Sequence, residues 1–483
     1  MKRKIALALT MAMLGTCLAG CGQADTDTNA STEAAGTEAA ETTEAEKEWY
    51  GTEDGKTITL HFWGGVQPEY GYDDLCANFN EEYKDKGLQV EYVRYVNDDN
   101  GNLQLETYLM GGGDVDLFIG YGGRTKMDKR VDSNLLLDMS GMLNDIGFNL
   151  DDELGVANMA EYHYDDGAVY GFPTKYENSR WILINEDMFK EAGLDIPYDG
   201  WTYSEFLADA EKLTHGEGQD KVYGVCWARK QSGKSILYAL DGVLGANQIY
   251  KNEEGTEVNF DNDVYRAGLN LVKETLDKGY AIPIEDEFSE DISVANTFLQ
   301  GKCAIMLGVA QMRLCMDQEN YPHDFMTALV PAPVPDDEKY NTEFYRKQIG
   351  TTGAGDLLSI SANTKYPEAS FEFAMWYLKG GMSPLVQGGR IPLWNGVNKD
   401  EVLSVLKEKA QGSIDMDSME NYLSLDTTQG VAAIKGHASS EISSAWFEEF
   451  DAMCYGKQSA DQTVQNMEKR GNELIQTELS SQK

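Results

Sequence analysis

Between residues 57 and 124 the chain alternates two periodicities, and that alternation leaves few folds open. Thr57-Ile58-Thr59-Leu60-His61-Phe62-Trp63 puts apolar residues at alternate positions and stops at Gly64-Gly65. From Tyr72 to Tyr83, Leu75, Cys76 and Phe79 fall on one helical face. Leu88-Gln89-Val90-Glu91-Tyr92-Val93 alternates again, Leu103 to Met110 reads as a helix ending at Gly111–Gly113, and Asp114–Ile119 is a short buried strand ending at Gly120–Gly123. Strand, helix, strand, helix, strand predicts a parallel sheet with crossover helices. Ligands of such sheets sit beyond the carboxyl ends of the strands, where glycine lets backbone approach them closely.

Further along, Tyr164–Pro173 reads as a hairpin with an Asp166-Gly167 turn, and Trp181 to Asn185 as a strand that runs into a helix at Glu186. Thr202 and Glu205 have the spacing of a capping box before a helix. A body running from about Thr57 to the C-terminus is longer than one domain core ordinarily reaches, so two lobes are expected.

The start of the chain has a different character. Lys2-Arg3-Lys4 precedes an apolar run from Ile5 to Leu18, and Leu18-Ala19-Gly20-Cys21 closes it. A basic start, a short apolar run and small residues form an export signal. A cysteine placed after the small residues predicts a lipoprotein, with residues 1–20 removed and Cys21 acylated. The run is shorter than the ~20 residues a spanning helix needs, so attachment would come from the lipid. Residues 21–56 read as a lipidated, acidic, disordered linker, since 22–48 is almost entirely Ala, Thr, Glu, Ser, Gly and Asp.

Lys and Arg number 40 against 81 Asp and Glu, a formal net charge of −41, which repels phosphate backbones and argues against nucleic-acid binding. Cys76, Cys226, Cys303, Cys315 and Cys454 follow no disulfide or zinc spacing. Cys303 and Cys315 could pair, and buried free thiols are the favoured reading. The five histidines form no His-x-x-x-His pair. Neither a metal nor a cofactor is expected. Ala228–Ser235 falls one glycine short of a phosphate-binding loop, and Ser404-Val405-Leu406-Lys407 has Ser-x-x-Lys spacing without a Lys-Thr-Gly partner; both read as chance.

Eight segments, in order, resemble the extracellular solute-binding proteins of ABC importers, of the maltose-binding-protein-like kind. They are Ile58–Gly64, Gly113–Phe118, Gly167–Pro173, Ile184–Phe189, Trp201–Phe206, Phe298–Met306, Gly353–Ser361 and Glu368–Leu378. The resemblance implies an α/β, two-lobed periplasmic-binding-protein-like fold with three crossover hinge segments. These would lie near Lys175–Ser179, Thr351–Asp356 and Gly389–Leu393. Lobe one would comprise 57–176 plus 355–390, and lobe two 178–352 plus 392–483. It further implies a monomeric, lipid-anchored protein at the outer face of a bacterial membrane. That protein would capture an oligosaccharide by closing its lobes and deliver it to a permease, with no chemistry done on the ligand. A surface glycoside hydrolase, or a binder of peptides or another small polar solute, are the alternatives.

Sugars need aromatic platforms for their C–H faces and polar groups for their hydroxyls. With 26 Tyr and 8 Trp, candidates are plentiful. Trp63, Gly64 and Gln67 lie at the end of the first strand. Tyr121 and Arg124 occupy a loop that carries ligand contacts in the family. Tyr176, Glu177 and Asn178 sit at the first crossover, and Trp227 and Arg229 follow the strand Val222–Cys226. Gln311 stands where maltodextrin binders of the family carry Trp nearby, a departure that puts a maltodextrin ligand in doubt. Trp394 follows the third crossover, and Trp446 lies in a late helix that supplies a stacking aromatic in the family. For Trp63, Trp227 and Trp446 core packing is an equally open reading; Trp201 and Trp376 read as structural.

Overall fold

In the computed structural model, described residues are 49–96, 99–176, 181–229, 249–290, 292–307, 311–347, 356–410, 412–424 and 436–481. The leader, Cys21, most of the linker, the Lys230–Ser235 part of the loop-like motif, and Glu177 and Asn178 lie outside them.

Eleven strands appear among these residues: β1 (Ile58–Gly64), β2 (Leu88–Arg94), β3 (Leu117–Gly120), β4 (Phe172–Pro173), β5 (Lys175–Tyr176), β6 (Trp181–Asn185), β7 (Tyr223–Cys226), β8 (Cys303–Leu307), β9 (Thr327–Pro331), β10 (Leu357–Ile360) and β11 (Ile391–Pro392). They form two main sheets. The first has the order β2-β1-β3-β10-β4, the second β7-β8-β6-β9. Strands β1, β2 and β3 are parallel, so the Gly64 and Gly120 ends point the same way. The first sheet is mixed, because β10 returns to it antiparallel to both β3 and β4.

Helix Tyr72–Tyr83 covers the first sheet with the face its spacing predicts, burying Tyr72, Leu75, Phe79 and Tyr83. Phe79 meets Phe373 edge-on at 4.9 Å, and Phe373 lies 5.2 Å from Phe62 of β1. The preceding Gly71 has φ +102°, and a Cβ there would lie 2.3 Å from the Pro384 carbonyl oxygen, so only glycine fits. In the second sheet, β6 reads Trp-Ile-Leu-Ile-Asn and is buried at every position because β8 and β9 flank it. One face of this sheet packs on helices Tyr203–Leu213, Asp263–Asp277, Ser439–Cys454 and Ala460–Ser481, which enclose Phe206, Tyr265 and Phe450. Thr202 and Glu205 make the capping box.

The Tyr164–Pro173 hairpin does not form. Gly167 donates back to the Tyr164 carbonyl as a turn, but Val169 N–H goes to Asp138 and Met139 N–H to the Val169 carbonyl. The arriving segment is thus bound by the 138–139 loop, and Phe172–Pro173 pairs with β10 instead. The described cysteines are all free, including Cys303 and Cys315. No described helix is long and apolar enough to cross a membrane.

Candidate functional site

Three stretches carry the chain between the sheets, and each brings one charge to the same buried point. The first runs from β4 through β5 to β6 and supplies Lys175. The second ends at Asp356, just before β10. The third supplies Arg390, just before β11. Strands β5 and β11 pair with each other, Tyr176 opposite Ile391 and Lys175 opposite Pro392. Asp356 is 4% exposed, accepts from Arg390 Nη1, and lies 3.6 Å from Lys175 Nζ. Burial opposes ionisation of Asp356, but Arg390 and then Lys175 outweigh it and hold the carboxyl below its ordinary range.

Tyrosines surround this ion group. Burial pushes the phenols of Tyr72, Tyr92, Tyr95, Tyr121 and Tyr377 upward, so all five stay neutral donor–acceptors. Two of them pin the turn after β1. Tyr121 Oη accepts from Gly65 N–H at 2.9 Å, while Tyr92 Oη accepts from Val66 N–H at 3.2 Å and donates to its carbonyl at 2.7 Å. Gly64 is required there, since a Cβ would lie 2.6 Å from Tyr92 Oη. Two sequence candidates, Gly64 and Tyr121, are therefore brought together at the strand ends.

The turn Pro68–Tyr70 after β1 also meets the end of the helix Met312–Met316 after β8. Tyr70 Oη donates to Asp317 Oδ2 at 2.7 Å. Gln67 precedes the turn Pro68–Tyr70, and Gln311 precedes the helix Met312–Met316, so these two candidates flank that link from opposite sheets. Tyr176 and Trp394 line one cavity of about 130 Å³, along with Pro392 and Val402. Trp394 Nε1 donates to Glu153 Oε2 at 2.6 Å, leaving the indole as one wall of the cavity.

The other candidates lie inside the packing. Trp63 is buried, with Nε1 donating to the Asp114 carbonyl at 2.8 Å and its ring 4.9 Å from Tyr108. Trp227 donates to Thr275 Oγ1 at 2.9 Å within the second core. Trp446, 2% exposed, stacks on Phe450 at 4.9 Å in that same core. A ring enclosed in this way offers no face to a ligand in this conformation. Arg229 makes a bidentate pair with Asp451 at 2.7 and 2.9 Å and covers the Phe447 ring. Arg124 is tied to Asp128 at 2.6 Å and to the Glu161 and His163 carbonyls, above Tyr164. These two arginines brace loops. Trp201 and Trp376 are structural, with Nε1 donating to the Pro331 carbonyl and to Glu82 respectively.

Sequence reasoning passed over Lys175, Asp356, Arg390, Tyr70, Tyr92 and Arg313. The available signal was a charged residue in each proposed crossover. No group of three or more His, Cys, Asp and Glu able to hold a metal occurs among the described residues.

Residues 64–379 match the family model of bacterial extracellular solute-binding proteins. The chain is similar in fold to the ABC substrate-binding protein of Listeria monocytogenes solved with cycloalternan: 17% identity, TM-score 0.64, 86% of this chain and 98% of that one. Maltose-bound MalE3 of T. maritima gives 17% identity and TM-score 0.64 over 86% of this chain and all of the other, 100%. A solute-binding protein of Thermotoga lettingae bound with α-D-tagatose gives 18%, 0.62, 87% and 100%.

Proposed function

Since the chain belongs to the bacterial extracellular solute-binding protein family, we propose that it is the lipid-anchored substrate-binding component of an ABC transporter. It captures an oligosaccharide between two lobes and delivers it to a membrane permease. The observation that carries this reading is the convergence of all three intersheet stretches on Asp356. Two sheets whose connecting stretches all meet at one point can turn about it while each sheet stays intact. The lobes we assign are 57–176 with 355–390, and 178–352 with 392–483. Cycloalternan, maltose and tagatose, bound by proteins of the same fold, support a carbohydrate ligand.

The ligand would rest between the pinned turn after β1 and the start of the helix Met312–Met316, contacting Gly64, Gln67, Tyr121, Tyr176, Gln311 and Trp394. Glu177 and Asn178 join this assignment from the family resemblance alone. A glycosidase would need a carboxyl held protonated near neutrality as general acid. The carboxyls of Asp356 and Asp317 at the crossovers are instead held below the ordinary range, and Glu287, raised to about 7, is shut away at the edge of the second core. For Asp317, burial opposes ionisation, but bonds from Asn320 and Tyr70 overcome it.

Thermal shift across glycan and peptide panels tests the proposal. A ligand at ~100 times its dissociation constant stabilises by ~2.7 kcal/mol. Small-angle scattering with the best glycan should show a smaller radius of gyration. A peptide as best ligand, or turnover of an oligosaccharide, overturns it. Acylation is read separately, as a mass increase on Cys21 of protein recovered from a bacterial membrane.

A further inference from the structure

One guanidinium beside the crossovers stands outside the Asp356 ion group. Arg313 lies on the short helix after β8, and its Nε is buried without a hydrogen-bond partner. Among the described residues it joins no ion pair. Its guanidinium stands over the Tyr70 ring, 5.9 Å from the centroid. Gly389 packs against it so closely that a Cβ there would lie 3.3 Å from Arg313 Cβ.

The carboxylates nearby are committed elsewhere. Asp317, one turn further on, accepts from Tyr70 Oη at 2.7 Å, from Asn320 N–H at 3.1 Å, and from Asn320 Nδ2 at 3.0 and 3.1 Å. Asp356 is held by Arg390 and Lys175. Both carboxylates are thus engaged by other groups, and among the described residues none forms an ion pair with Arg313. Burial, and then the charge of Arg390, make the cationic form of Arg313 harder to hold. A half-buried arginine is costly unless an anion completes it, and its planar fork fits a carboxylate in two parallel bonds. A half-buried cation outside any described ion pair runs against a chain whose net charge is −41.

We infer that the captured glycan is acidic: a uronic-acid-type carboxylate on one of its sugar rings pairs with Arg313 at the Tyr70–Asp317 edge of the cleft. This rests on the carbohydrate reading above. The neutral tyrosines and amides then serve the sugar hydroxyls, and Arg313 selects for charge.

Calorimetric titration of the full chain tests it, using oligomers of galacturonate, glucuronate and mannuronate, their methyl esters, and neutral malto-oligosaccharides. The expected result is that the best acid binds at least about tenfold more tightly than its own methyl ester, the scale of one charged hydrogen bond. R313Q should abolish that difference, and R313K should restore part of it. The acid–ester comparison on unaltered protein stands whether or not R313Q folds. A neutral glycan as the tightest ligand, equal binding of acid and ester, or an acid–ester difference that survives in folded R313Q overturns the inference and leaves the carbohydrate reading intact. Binding by no glycan overturns both.

Discussion

Asp356 and Glu287 are both carboxylates shut away from water, 4% and 1% exposed, and their surroundings are opposite. Asp356 lies where the intersheet stretches meet, between two cations. Glu287 lies at the edge of the second core, on the helix Ile284–Ser289, and accepts Arg229 N–H at 2.5 Å with one oxygen. Its other oxygen has no partner, and the Arg229 guanidinium is spent on Asp451. Burial therefore wins at Glu287, pushing its pKa up to about 7, whereas at Asp356 the counter-charges win. Buried charge is stable only when neighbours answer it; Arg390 and Lys175 answer Asp356, and among the described residues no free cation answers Glu287.

The largest effect should come from removing the centre of the crossover group. D356N leaves Arg390 and Lys175 uncompensated, and loss of one member of a buried pair costs ~3–5 kcal/mol. Urea unfolding measures this; a loss under ~1 kcal/mol would mean that the three stretches do not depend on the carboxylate. The stability from Asp356 is fully present above the unfolded-state value of ~3.9 and is lost as pH falls through its lower folded value.

In the second core, W446A should cost ~3–5 kcal/mol, the usual range for a fully enclosed tryptophan, with little left to the cleft. Glycan affinity of the folded variant should stay within about twofold, since less than ~0.4 kcal/mol of binding is then at stake. A tenfold loss would return Trp446 to the ligand contacts.

Glu287 has the smallest and most pH-dependent effect. Its folded pKa of about 7 exceeds the ~4.3 of an unfolded glutamate, so the native state binds more protons in between. Stability should fall as pH rises from ~4.3 to ~7, then level off. E287Q keeps the acceptor for Arg229 N–H and removes the charge. It should gain a few kcal/mol at most over the parent at pH 8, and nothing near pH 4. Melting curves across that range check this, and a constant difference would move the burial penalty elsewhere.

Much of the architecture was legible because periodicity records which faces must be hidden. Tyr72–Tyr83 and Trp181–Asn185 appear with the bounds their patterns predict. The hairpin at Tyr164–Pro173 was not legible, because an Asp-Gly turn fixes a reversal and says nothing about which strand the arriving segment joins. The site was read least well. Tryptophan at a strand end has the same sequence appearance whether it faces a cleft, as Trp394 faces its cavity, or a core, as Trp227 does.

The sequence by itself determined the alternation of strand and helix, the acidic balance, the leader-like start and the segments whose order marks the family. Those are properties of neighbours along the chain. Only the tertiary structure decided that Lys175, Asp356 and Arg390 meet, and that Arg313 beside them goes unanswered. These residues lie far apart in sequence and follow no shared period, so no local pattern couples them. Their pairing is an electrostatic outcome of burial, and burial exists only once the two sheets and the stretches between them are in place.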